Sequence, residues 1–134
     1  MIEGTGSGFD SNVREAMLFR IDDESQRDTA TVLSIHGELD LHQAPELQDR
    51  LAAAIEEGAN LVVIDLTNVT FIDSLALGVL LGATNRLRLR GGDLRLVVPN
   101  SSLRRIFEIS LLDRVFTLHS SRDEAFPRSF EPPD

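Results

Sequence analysis

Ser74 is the hydroxyl in this chain best placed for chemistry, because it follows an acid, Asp73, where an apolar run gives way to a segment of helical period. A serine at a helix start, just past the C-terminal end of a strand, sits among unpaired N–H groups at the positive end of the helix dipole. Ligands and phosphates collect there in α/β folds. The plainer reading of the same pair is structural. Asp73 and Ser74 are both favoured N-cap types, and either can start the helix. Asp40, at the end of Gly37-Glu38-Leu39-Asp40, is likewise a candidate cap for the helix that follows it. Asp65, the acid inside the apolar run 61–66, reads as a hydrogen-bonded carboxylate at the strand's edge and not as a catalytic group.

The residue types that are missing narrow the chemistry further. All 13 basic residues are Arg. Without Lys there is no P-loop lysine, no Schiff-base lysine and no late lysine of a phospho-aspartate receiver. A serine hydrolase needs a histidine-based partner and usually G-x-S-x-G, and the residues here are Phe71-Ile72-Asp73-Ser74-Leu75. There is no Cys, so thiolates and disulfides are excluded. His36, His42 and His119 lack a metal-ligand spacing and read as scattered surface histidines. No glycine-rich phosphate loop is present. The expectation is a protein that is not an enzyme, with no catalytic residue, metal or cofactor.

A formal net charge of −9 argues against nucleic acid as a direct partner, since phosphate contacts need a basic face. The seven Phe, unaccompanied by Trp or Tyr, supply few stacking platforms. No apolar run is long enough to insert in a membrane, and the first residues lack the pattern of a signal peptide. A cytoplasmic protein is expected, with loose tails at 1–12 and 127–134 around one domain at 13–126.

The elements that must position Ser74 follow from periodicity. Residues 16–21 and 30–36 read as strands joined by an acidic loop over 22–28. Gly37 is expected to turn the chain. A helix then carries Pro45 in its first turn, a stripe of Leu47, Leu51, Ala54 and Ile55, and Gly58 past its end. The Val- and Ile-rich run 61–66 suits a strand buried on both faces. It is followed by a turn at Thr67-Asn68, a second stretch at 69–72, and the helix of Ser74. Leu75, Leu77, Val79, Leu80 and Leu81 make that helix apolar nearly all round, so it is either fully covered or open to a partner. Its far end carries Arg86, Arg88 and Arg90, where the dipole favours cations. Gly91-Gly92 breaks the chain before a strand at 93–98. Asn100, Ser101 and Ser102 lead into a short helix with Leu103, Ile106, Phe107 and Leu111 on one side. A short strand at 115–118 and a helical turn at 121–126 close the domain. The order β-β-α-β-α-β-α-β predicts an α/β domain with a small mixed sheet, its first two strands antiparallel and its helices mainly on one face.

Two separated stretches, GELDLHQAPELQDRL and VVIDLTNVTFIDSLALGVLLG, resemble the STAS domain and, within it, the bacterial anti-sigma factor antagonists. The resemblance covers about residues 17–126. It implies a phosphorylation switch: a regulator that binds an anti-sigma factor, itself a serine kinase of the GHKL ATP-binding type, and so frees a sigma factor. The kinase phosphorylates one serine of the antagonist and a serine phosphatase resets it. By resemblance that serine is Ser74, with Asp40 beside it. Asp73, Leu75, Ala76, Leu77 and Val79 form its surroundings and the partner surface, and the loop of Asn100, Ser101 and Ser102 is a further contact. Two positions depart from the family pattern, in which a second Ser or Thr and then Gly follow the phosphorylated serine; here they are Leu75 and Ala76. The methyl of Ala76 is expected to narrow close approach by a partner. Members that have lost the switch act as constitutive scaffolds or accessory subunits of larger complexes, and that is the alternative.

Overall fold

The computed structural model describes residues 19–25 and 30–126. The expected tails, residues 16–18 of the expected first strand and residues 26–28 of the acidic loop lie outside the described residues. The elements are β1 (Arg20–Asp23), β2 (Ala30–Leu39), α1 (Ala44–Glu56), β3 (Leu61–Ile72), α2 (Ser74–Leu89), β4 (Asp93–Val97) and α3 (Ser101–Ile109). A 3-10 turn (Leu112–Arg114), β5 (Thr117–His119) and a one-turn α4 (Arg122–Ala125) complete the domain. The sheet order is β1-β2-β3-β4-β5. β1 pairs antiparallel with β2, and the other pairs are parallel, as crossover helices require.

β3 lies at the centre, and its uninterrupted apolar run is explained by two cores. Val62, Ile64 and Leu66 face one layer, in which α1 contributes Leu47 and Leu51, α2 contributes Leu80 and Leu87, and α3 contributes Leu103 and Phe107. Leu61 and Val63 face a smaller cluster on the other side with Val32, Val97, Ala125 and the partly buried Phe126. The three long helices thus share one face of the sheet, and among the described residues only α4 sits on the other. Phe107 and Phe116 meet edge to face, with ring centroids 5.7 Å apart.

Several boundaries differ from expectation. Thr67-Asn68 is not a turn. β3 runs through it to Ile72, and the register with β2 slips there, where Ser34 pairs with Asp65 but His36 pairs with Asn68. The extra residue of β3 is a bulge, and the Asp65 carboxylate accepts the Thr67 N–H at 2.9 Å. Gly37 does not turn the chain either. It stays within β2 at φ 102°, beside a second register shift, and the strand continues to Leu39. The first strand begins at Arg20 and takes in Asp22 and Asp23 of the supposed loop. The last strand begins two residues later and ends one later than expected, because the N–H groups of Val115 and Phe116 still bond the Leu112 carbonyl of the 3-10 turn. Leu111 lies beyond α3 in the left-handed region and is exposed, so it does not extend that helix's apolar side. Gly92 is held to its type by packing: a Cβ there would collide with the Asn60 carbonyl, which accepts the adjacent Asp93 N–H.

Candidate functional site

The C-terminal ends of β2 and β3 converge where Leu39 pairs with Ile72. The next residue on each strand is an aspartate, and the Asp73 N–H donates to the Leu39 carbonyl at 3.2 Å. Asp73 has extended backbone (φ −106°, ψ 177°), and its carboxylate accepts the Ala76 N–H at 3.0 Å. It is therefore the N-cap of α2. The choice left open by the sequence falls to the aspartate, whose side chain satisfies one of the orphan donors of the first turn. Ser74 becomes the first helical residue. It is exposed, and its hydroxyl makes no hydrogen bond among the described residues.

Asp40 is not the cap of α1. That position belongs to Gln43, which makes no side-chain cap bond. The Asp40 carboxylate instead accepts N–H groups from His42 (3.0 Å) and Gln43 (3.3 Å). It folds the turn between β2 and α1, at the same end of the sheet as Ser74. Around this end the chain exposes large apolar side chains. Leu41 is 56%, Phe71 45% and Leu75 53% exposed. Leu41 and Phe71 were not legible as site residues. Phe71 lies past the bulge, where strand alternation no longer reports which face a residue takes, and Leu41 sits in an irregular turn.

The remaining expected residues divide by orientation. Ala76 is fully buried, so its methyl packs into the core and does not stand in a partner's way. Leu77 and Val79 are partly buried against the core, and Leu80 is fully buried. The apolar ring of α2 is thus neither wholly covered nor wholly open. Asn100 caps α3, accepting from Ser102 N–H (2.8 Å) and Leu103 N–H (3.2 Å). This loop leaves β4 just past the last pairing of β3 with β4, Asp65 with Val97, while β3 runs on to Ile72. The segment Asn100 to Ser102 is thereby set back along β3 from Ser74.

Between α1 and α2 runs a groove of about 290 Å³, walled by Gln48 and Leu51 on one side and by Ser74, Gly78, Gly82 and Arg86 on the other. Each of the two glycines costs the helix about 1 kcal/mol relative to Ala.

On the opposite face of the sheet a second polar cluster is closed on itself. The Arg122 guanidinium donates to the Asp65 carboxylate at 2.7 Å and pairs with Glu24 at 2.6 Å. Burial pushes the Asp65 carboxyl up, but bonds from the Thr67 hydroxyl, Arg122 and the Thr67 N–H outweigh it and hold the group below its ordinary value. The histidines are dispersed. His36 lies on this same face near Asp22 (3.6 Å), and His42 is exposed beside Asp40. His119 is not the surface residue expected: its Nε2 is buried without a hydrogen-bond partner among the described residues, and desolvation, with Arg95 nearby, lowers its pKa.

The STAS domain family model matches residues 21–125, all but the first residue of the five-stranded unit just described. The chain belongs to the STAS domain family. Among curated relatives of this STAS domain, the anti-sigma-B factor antagonist of Bacillus subtilis is 31% identical over 101 residues, covering 75% of this chain and 92% of the relative. The anti-sigma-B factor antagonist of Listeria monocytogenes is 35% identical over 101 residues, covering 74% and 88%. A crystal structure of an anti-sigma factor antagonist from Mycobacterium paratuberculosis superposes with a TM-score of 0.72 at 28% identity, over 80% of this chain and 90% of that one. These relatives of this STAS domain are antagonists of anti-sigma factors. No helix among its described residues is long and apolar enough to cross a membrane.

Proposed function

We propose that this STAS domain is a phosphorylation-switched regulator in the cytoplasm. Unmodified, it binds an anti-sigma factor that is also a serine kinase of the GHKL type and thereby releases a sigma factor. Phosphorylated on Ser74, it lets go, and a serine phosphatase restores it. The chain acts by binding and not by turnover. The observation that carries the reading is the division of labour at the start of α2: Asp73 takes the cap, and the Ser74 hydroxyl is left exposed and unbonded.

Ser74 needs no activating base of its own, because the kinase supplies base, metal and ATP. The chain has only to present the hydroxyl on a rigid support, and a helix start at the end of two paired strands does so. Phosphoserine carries about −1.5 to −2 charge. The N-terminal dipole of α2 tolerates it, so the fold survives. Asp73 and Asp40 add repulsion, and the new dianion must be desolvated at any interface made by Leu41, Phe71 and Leu75. A penalty of about 3–4 kcal/mol weakens binding by several hundredfold. Ser74→Asp and Ser74→Glu are expected to abolish binding to the kinase while Ser74→Ala still binds; equal binding by all of them counts against the switch.

The exposed Leu75, in place of a second hydroxyl residue, favours one other reading: a constitutive scaffold or accessory subunit without a phosphorylation cycle. The intact mass of the protein from its own cells, before and after stress, separates the two. A phosphoryl group on Ser74 that changes in amount supports the switch, and its absence under every condition supports the scaffold.

A further inference from the structure

We infer that the groove between α1 and α2 is a second docking element, which seats one helix of the protein partner, about three turns long, with an acidic side chain against Arg86. The inference rests on the reading of the Ser74 end as a protein-binding surface and extends that surface along α2. Ser74, Gly78, Gly82 and Arg86 recur every four residues, so they form one line down the helix. At 1.5 Å per residue the line is about 18 Å long.

The fold itself does not need the two glycines. Both are exposed, and a methyl group on either would meet nothing within 4 Å. Alanine would make α2 a better helix at both positions. A bare backbone instead permits close approach by another main chain, which is the second use of glycine. The exposed Leu75 and the partly buried Val79 border the groove with apolar surface, and the buried Leu51 lies beneath it, as a helix-in-groove contact requires.

Charge selects the occupant. Arg88 donates to Asp93 and to the Val115 carbonyl, and Arg90 donates to the Ala59 carbonyl. Arg86 is exposed at the end of the groove and has no hydrogen bond or ion pair among the described residues. In a chain of net charge −9 it is a cation left for a carboxylate from elsewhere. A helix lying antiparallel to α2 sets the two dipoles in opposition. It also brings its own N-terminal turn, where acids are favoured, to Arg86.

The test uses the full chain and the GHKL-type kinase from its own cells, both purified, with Kd measured by calorimetry and melting measured on the free protein. Gly78→Ala combined with Gly82→Ala is expected to raise the melting temperature and yet weaken binding about tenfold. Gly82→Leu is expected to weaken it about a hundredfold, and Arg86→Glu about tenfold. Glycine variants that bind like the wild type overturn the groove inference and leave the Ser74 reading standing. Weakened glycine variants together with full binding by Ser74→Asp overturn the switch and leave the groove standing. Binding by no variant and not by the wild type overturns both. A wild-type chain that dimerises on sedimentation, with Gly82→Leu monomeric, makes the occupant a second copy and overturns the choice of partner.

Discussion

One face of β3 and its C-terminal end carry opposite kinds of polar chemistry. On that face, Asp65, Arg122 and Glu24 meet at hydrogen-bonding distance, and the guanidinium ties α4 to the central strand and to the segment after β1. At the far end of the same strand, Asp73 uses its carboxylate on a single backbone N–H, Ser74 binds nothing within the described chain, and three large apolar side chains face outward. Groups paired within the chain stabilise it, whereas exposed groups that the fold does not use are available to a partner. Sequence distance does not separate the two: Asp65 and Asp73 are eight positions apart, with both register shifts of β3 against β2 between them.

The sharpest way to break this contrast is to damage the closed cluster. Asp65→Ala removes the acceptor of the Thr67 N–H and hydroxyl and leaves Arg122 paired with Glu24 alone among the described residues; it is expected to cost about 1–3 kcal/mol, seen as a lower melting temperature, with partner affinity unchanged. Acid should do the same without a mutation. The folded Asp65 carboxyl lies below its ordinary value of 3.8, so its contribution is complete above that pH and is lost as the pH falls through the lower folded value. In Asp65→Asn the acid limb of the stability profile should flatten. A profile unchanged by that substitution would show that the cluster does not set acid stability.

The mirror-image result is expected at the open end. Phe71→Ala should leave melting within about 0.5 kcal/mol of the wild type, because the ring is exposed. It should weaken partner binding by about 1–2 kcal/mol, as loss of an apolar anchor does. A large stability loss with unchanged binding would place Phe71 in the fold and not in the interface. Asp73→Ala joins both effects. It removes the cap at a cost of about 1 kcal/mol and should slow phosphoryl transfer to Ser74 relative to Asp73→Asn, which keeps a capping oxygen.

The smallest effect is expected at His119. Burial lowers its folded pKa below 6.5, so the unfolded chain takes up the proton first as the pH falls. Stability should decline gently from pH 6.5 downward, and His119→Gln should remove that slope. A slope that survives the substitution assigns it to another group.

Much of this molecule is legible in one dimension. The apolar runs and their spacing give the β-β-α-β-α-β-α-β order. Val- and Ile-rich continuity marks 61–66 as a strand covered on both faces, and Gly58 and Asn100 mark helix boundaries, because propensity and periodicity are local properties. The motif GELD and the Asp73-Ser74 pair indicated the family and the candidate serine. Tertiary structure decided what depends on neighbours distant in sequence. The bulge at Asp65 and Thr67 replaced an expected turn, since only pairing with β2 distinguishes an extra residue in a strand from a reversal. The cap went to Asp73 once its N–H was anchored on Leu39, and that freed Ser74. The outward set of Leu41 and Phe71, the inward methyl of Ala76 and the open glycines of α2 depend on which face each element buries, and that is fixed only when strands and helices pack together.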